Sequence, residues 1–374
     1  MPTVLLINNS PQPGRKELAK LGGGGKSLLG LLGQLPGKGW QTHVIVPGEG
    51  QFTDELIRMG ISHDIYPFEP LDPRRPLHAL GTVLTWRRLL RRIRPSLIHA
   101  NGFDLSRSFS LAAASLRIPY ITHVRFPSTP KGIRWTLRGF PKPAAFIFNS
   151  HAMMEQQWPL IEAYAPDSRA FVAHNAVDLE QFHPAPWPDS DRLRIGIIAN
   201  FAPFKRHEDF IRMAGEMVKQ RQDLEFWIVG EDTQGTGRRE TLQQLAHELG
   251  VSEKVIFLGH RSDIPDILRQ LHLLVVPSEF EPFGRVVIEA MACGRPVIGS
   301  NDGGIPEIID HGKTGYLVGV GDADGFARCA LDVLGDRDRW TQMNAAAGLA
   351  ARERFSLDAH VDQITSIYRQ ILPA

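Results

Sequence analysis

Cysteine is nearly absent, with only Cys293 and Cys329 in 374 residues. The two lie far apart inside helical patterns and have no neighbouring ligands at zinc spacing. A disulfide framework and a cysteine-based zinc site are therefore excluded, and both residues read as packing groups. No apolar run of roughly 18 residues occurs, so a membrane-spanning helix is not expected. The opening Met1-Pro-Thr-Val-Leu-Leu-Ile-Asn lacks the positively charged leader of a secretory signal and reads at once as a strand. These absences make a cytoplasmic protein the expectation. Net charge is scarce too, at +1, but it is unevenly spread. Residues 1–184 carry 21 Lys and Arg against 13 Asp and Glu, and residues 185–374 carry 21 against 28, so +8 and −7 give the total. A basic half beside an acidic half suggests different partners. For the first half these would be an anionic acceptor or an anionic membrane surface. The alternative is ordinary scatter of surface charge.

What is present is the composition of a globular protein, 43% apolar and 22% charged, in a chain long enough for two domains. The Pro-rich stretch Pro184-Ala-Pro186-Trp-Pro188 reads as the linker. The expected division is 1–184, 185–355 and a C-terminal helix over 356–374 that packs back on the first domain.

The most informative stretch runs from Pro277 to Ile298. Val275 and Val276 close an apolar strand, a polar loop follows, and a helical pattern begins at Arg285 and stops at Gly294. Gly294-Arg-Pro296 then feeds the strand Val297-Ile298. Strand, loop, helix and strand make the repeating unit of a parallel α/β sheet. Glu281 in the loop and Glu289 in the helix flank a helix N-terminus, whose amide groups and partial positive charge suit a phosphate. Two accepting carboxylates beside a phosphate site fit a ligand rich in both hydroxyls and phosphate, such as a sugar nucleotide.

The same rhythm runs through the chain. Thr3–Asn8 reads as a strand, followed by a loop with Pro11, Pro13 and Gly14. Leu21-Gly-Gly-Gly-Gly25-Lys26-Ser27 then opens a leucine-rich helix, where glycine lets backbone approach a bound group. Gly25-Lys26-Ser27 matches the end of a P-loop, but the first glycine of that motif would fall at Lys20, and the loop lies too far from its strand. A basic helix containing Trp86-Arg-Arg-Leu-Leu-Arg-Arg-Ile-Arg ends at Pro95; its arginines suit a membrane surface, an anionic acceptor or simply solvent. Strands at Ser96–Ala100 and Tyr120–His123 each carry a histidine near a carboxyl end, His99 and His123, where ligands of open parallel sheets bind. Phe126–Lys142, rich in Pro, basic and aromatic residues, lacks periodicity and is expected to be a mobile acceptor-side loop. Beyond the linker, Leu193–Ile198 restarts the pattern, with Lys205 and Arg206 in the loop after it.

With these residues in place, the chain resembles glycosyltransferase family 4, the retaining nucleotide-sugar glycosyltransferases of GT-B fold. The resemblance rests on the early Gly-rich loop, on Asn175-Ala-Val-Asp178 with Phe182 and Pro184, and on Lys205. It rests also on Pro277-Ser-Glu-Phe-Glu281-Pro-Phe-Gly284 with Glu289-Ala-Met-Ala-Cys-Gly294-Arg-Pro296, and on Gly303-Gly304-Ile-Pro306-Glu307. It implies an α/β fold of two Rossmann-like domains facing across a cleft, the donor on the second and the acceptor mainly on the first. It further implies that Glu281 hydrogen-bonds the donor sugar and Glu289 the ribose. Backbone amides around Phe283, Gly284, Arg285 and Val286 would hold the diphosphate, and Lys205 would neutralise the leaving group. His123 would lie near the sugar, and Gly24 and Gly25 near the phosphates. Two positions depart from the family pattern. Asn200 stands where an arginine is usual, so Arg206 or Arg285 would have to compensate, and Ala176 replaces a glycine.

The expected function is transfer of a hexose-type sugar from a UDP-, GDP- or ADP-sugar to a glycan or lipid-linked acceptor, with retention. Polysaccharide or lipopolysaccharide synthesis in the cell envelope, at the inner face of the cytoplasmic membrane, is the expected setting. No Asp-x-Asp site stands at a strand end, so no metal is expected, and no nucleic-acid partner. A sugar-nucleotide epimerase on the same fold and a P-loop nucleotide-binding protein are the alternatives.

Overall fold

The computed structural model describes residues 1–9, 23–72, 74–233 and 235–372. The loop around Pro11 to Gly14, Lys20, and the first residues of the Gly-rich loop lie outside them. The chain divides into two compact units, Met1–Ala176 with Leu357–Ala374, and Val177–Ser356.

In the first unit, strands β1 (Thr3–Ile7), β2 (Gln41–Val46), β3 (His63–Ile65), β4 (Leu97–Ala100), β5 (Tyr120–Val124), β6 (Ala145–Phe148) and β7 (Arg169–Val172) form one sheet. Its order is β3-β2-β1-β4-β5-β6-β7, and every pairing is parallel. Helices α1 (Gly23–Gln34), α2 (Gln51–Arg58), α3 (Pro76–Ile93), α4 (Ser106–Ser115), α5 (Pro130–Leu137) and α6 (His151–Glu162) connect the strands. Helices cover both faces, so the central strands are apolar runs rather than alternating ones: Val4, Leu5, Leu6 and Ile7 are all fully buried.

The second unit repeats this plan with β8 (Leu193–Ile198), α7 (His207–Val218), β9 (Leu224–Val229), α8 (Arg238–Glu248), β10 (Val255–Gly259), α9 (Ile264–Gln270), β11 (Leu273–Val276), α10 (Arg285–Ala292), β12 (Val297–Ser300) and β13 (Gly315–Val318), followed by α11 (Ala323–Gly335) and α12 (Arg337–Phe355). Its sheet order is β10-β9-β8-β11-β12-β13. Both sheets thus reverse direction beside their first strand, the Rossmann arrangement in which ligands bind at the carboxyl ends near the switch point. The last helix, α13 (Leu357–Ile371), returns to the first unit and buries Val361, Ile364 and Tyr368 in the cluster that holds Leu28, Leu31 and Leu32 of α1.

Three expectations change. The division falls after Ala176 rather than at Pro184. The Pro-rich stretch is held to the second unit by Arg295, a fully buried cation that donates to the carbonyls of Ala185 (2.9 Å) and Pro186 (3.0 Å), and by Trp187 set edge-on against Trp340. The supposed mobile loop contains α5. Thr129 caps that helix by accepting from the Gly132 amide, Pro130 occupies its first turn, and Ile133 and Leu137 form a buried pair four residues apart. Finally, Ala176 has no positive φ, so the backbone there does not require glycine.

Candidate active site

The second unit gathers Lys205, Arg206, Glu281 and the Gly284 turn on loops at strand carboxyl ends, with Glu289 on the helix that follows. β8 ends at Ile198 and leads to a short 3-10 turn over Pro203–Lys205. β11 ends at Val276 and leads to the loop carrying Glu281. The two loops touch: the Glu279 amide donates to the Phe204 carbonyl at 2.7 Å, and Lys205 Nζ donates to Glu281 Oε2 in an ion pair with both side chains mostly buried. A charge-assisted contact in such a partly dry setting fixes both groups more firmly than a surface pair would.

α10 starts at Gly284, which has φ +98° and provides no side-chain cap. Arg285 in the first turn donates to Glu289 Oε1 at 3.1 Å, an i,i+4 pair with both side chains partly buried. Arg206 has φ +53°, and its guanidinium donates to the buried Asp209 (2.5 Å) and to Glu279 (3.5 Å). Each arginine that could replace the one missing at Asn200 is therefore already paired with a carboxylate. Asn200 itself is exposed. His207, next to Arg206, is buried, and burial together with Arg238 lowers its pKa to about 4, so the ring is neutral.

The Glu281 loop is laced to the turn after β12. Ser300 Oγ donates to the Ser278 carbonyl, the Phe280 amide to Asp302 Oδ2 (2.8 Å), and the Gly304 amide to the Glu281 carbonyl (2.8 Å). Gly303 has φ +59°, and a Cβ there would stand 2.4 Å from the Glu281 carbonyl oxygen, so the approach of turn to loop requires glycine. Asp302, Ser278 and Ser300 were not singled out from the sequence. The pair Gly303-Gly304 just after Asp302 was the available signal.

The other three expected site residues, Gly24, Gly25 and His123, lie in the first unit. Gly24 and Gly25 open α1, and a Cβ on Gly24 would come 3.2 Å from Arg125 Cδ. Arg125 follows β5 and donates from Nε to Asn101 Oδ1 (2.7 Å) and from Nη1 to Asn175 Oδ1 (3.0 Å). Asn101 in turn donates to Asn8 at 2.9 Å. His123 is fully buried and stacks on His99 at 5.7 Å; neither of its ring nitrogens has a hydrogen-bond partner among the described residues. His99 lies with Nδ1 2.6 Å from the Tyr368 hydroxyl of α13. Burial, reinforced by Arg125, holds His123 well below its ordinary pKa and His99 at about 3. Both rings are neutral at physiological pH, so each can donate or accept a hydrogen bond but brings no charge.

Comparison with known proteins matches both units. Residues 21–181 match the model described as Glycosyltransferase Family 4, and residues 180–354 match Glycosyl transferases group 1. The chain is 36% identical over 206 residues to an N-acetyl-alpha-D-glucosaminyl L-malate synthase of Bacillus anthracis, covering 55% of this chain and about half (52%) of that relative. It is 27% identical over 338 residues to a D-inositol 3-phosphate glycosyltransferase of Thermobispora bispora, covering 82% of this chain and 78% of the relative. Among solved structures, Anabaena Alr3699/HepE in complex with UDP and glucose superposes with a TM-score of 0.82 at 22% identity, covering 99% of this chain and 100% of that one. A glycosyltransferase from Rickettsia africae also gives 0.82, at 20% identity and 99% and 98% coverage.

Proposed function

The chain belongs to the family 4 glycosyltransferases of GT-B fold, and from that premise we propose that it moves a hexose-type sugar from a nucleotide donor to a hydroxyl acceptor with retention at the anomeric carbon. The observation that carries this reading is the Lys205–Glu281 pair, set beside the start of α10 in the second unit. In the transfer, the bond from the anomeric carbon to the diphosphate oxygen breaks and the acceptor oxygen bonds to that carbon. The acceptor proton passes to the leaving phosphate. Charge grows on that phosphate in the transition state, where Lys205 and the start of α10, fixed beforehand, stabilise it more than in the ground state. Glu281 takes the sugar hydroxyls and Glu289 the ribose. The amides of Phe283, Gly284, Arg285 and Val286 take the diphosphate, with Arg206 at its edge. UDP is the first nucleotide to try, because the Anabaena structures were solved with UDP, UDP and glucose, or UDP-glucose.

The acceptor divides into two classes. Two relatives are named for an L-malate conjugate and for D-inositol 3-phosphate, and both names describe small anionic hydroxyl compounds. The basic first half of the chain fits that class. A lipid-linked or glycan acceptor at a membrane is the second reading, and α3 favours it. That helix contains no acidic residue. Leu77, Leu80 and Leu84 are 85%, 56% and 55% exposed, and with Arg88 and Arg91 they follow one helical stripe. Trp135 of α5 shares a surface hollow with Arg74, Arg75 and His78, which Glu69 and Asp72 also line. Among the described residues no helix is long and apolar enough to cross a membrane, so the contact would be peripheral.

One set of assays tests these statements. UDP-, GDP- and ADP-sugars are scored by thermal shift, and the best donor is then offered with L-malate, inositol phosphate or a lipid-linked glycan. Glu289→Ala should abolish transfer and donor hydrolysis while the protein stays folded; unchanged kinetics would sink the assignment. Conversion of a sugar nucleotide without acceptor would instead reveal an epimerase. Sedimentation with phosphatidylglycerol vesicles at low salt, lost in a Leu77, Leu80 and Leu84 to Ser variant, is the outcome expected of membrane contact.

A further inference from the structure

Glu281 stands on a loop with no helix or strand of its own. The residue before it, Phe280, has φ +41°, a conformation that side chains other than glycine rarely adopt and that must be held in place. The Phe280 amide donates to Asp302 Oδ2, and the Gly303 amide donates to Asp302 Oδ1, both at 2.8 Å. One carboxylate therefore grips the loop with one oxygen and the facing turn with the other. On the far side of Glu281 its own carbonyl accepts from the Gly304 amide, so the Glu281 peptide is tied at both ends to the same turn.

We propose that Asp302 is a positioning residue for the transfer reaction, holding Phe280 in its left-handed conformation and thereby aiming the Glu281 carboxylate. The inference rests on the role assigned above to Glu281. Aspartate suits the task because its ionised carboxylate is acceptor-only and satisfies two amides at once. Asparagine keeps one acceptor oxygen and turns an NH2 group toward the second amide, and alanine keeps neither.

The test uses Asp302→Asn and Asp302→Ala in the full chain, with folding checked by thermal melting. Amide hydrogen exchange over the 278–284 segment is followed, together with turnover of UDP-glucose. Asp302→Ala should accelerate exchange in that segment alone and lower kcat by about tenfold to a hundredfold, the effect of misplacing a reacting group by about 1 Å, with much less change in donor KM. Asp302→Asn should fall between Asp302→Ala and the parent in both readouts. Unchanged exchange overturns the proposal, as does faster exchange with kcat intact, or a rise in KM alone. If the parent protein does not turn over UDP-glucose, the choice of donor fails on its own, and the exchange readings of the two variants still decide whether Asp302 holds the loop. Should Asp302→Ala fail to fold, Asp302→Asn carries the same decision.

Discussion

The two units share a strand order and differ in what they place at the same end of the sheet. In the second unit that end is built from ion pairs, Lys205 with Glu281, Arg285 with Glu289 and Arg206 with Asp209. In the first it is built from neutral or singly charged groups sunk in the core: His99, His123, three asparagines and Arg125. One topology thus serves two kinds of chemistry. Partly buried charged pairs of this kind suit exchange of partners with an anionic, hydroxyl-rich ligand. Buried neutral rings hold a shape and respond little to what lies outside.

The largest expected effect comes from removing the charge to which the proposed transfer assigns the leaving phosphate. Lys205→Ala should lower kcat by about 10²- to 10³-fold with a smaller change in donor KM, measured by steady-state transfer. A loss no greater than a few-fold would erase the contrast between the units.

Gly303→Ala should come next. Its Cβ would collide with the Glu281 carbonyl and occupy a positive-φ position, so stability should fall by about 1–3 kcal/mol on thermal or denaturant unfolding, with activity falling alongside. A glycine whose replacement leaves both intact would mean that loop and turn are not locked.

A further effect, small for each ring, is one the units should share. Each holds two histidines with depressed pKa, His99 at about 3 and His123 well below its ordinary value in the first, His207 and His272 at about 4 in the second, all chiefly through burial. In the unfolded chain such rings protonate near 6.5, so the stability they contribute is full above that pH and is lost as pH falls toward the folded values. At pH 5.5 the loss is about 1.4 kcal/mol per ring. Melting at pH 7.5 and 5.5 checks this, and a melting temperature that does not fall would show that the rings are not held neutral.

The readable parts of the sequence were those where one residue type serves one local need. Both sheets were legible because parallel strands covered on two faces must be continuous apolar runs, as in Val4 to Ile7 and Leu273–Val276. The elements around Glu281 and Glu289 were legible because a strand, a polar loop and a helix start follow one another directly. α5 was not, because Ile133 and Leu137 are the only apolar residues buried in its short span, too few to make a period, although Thr129-Pro130 carries a helix-start signal. The division of the chain was misplaced because proline content reports backbone stiffness, whereas Arg295, a hundred or so residues later, decides where that stretch is held. Asp302 escaped notice for the same reason. Its partner, the Phe280 amide, is a backbone group that no side-chain pattern announces.

The return of α13 to the first unit has a consequence for biosynthesis. Because α13 follows the second unit in sequence, the first unit cannot be completed until the whole of the second has been synthesised. Until then the groove on Leu28, Leu31 and Leu32 that α13 fills stays open, and His99 lacks Tyr368. The nascent first unit would then be the stage most in need of a chaperone, with its maturation timed by the arrival of Val361, Ile364 and Tyr368.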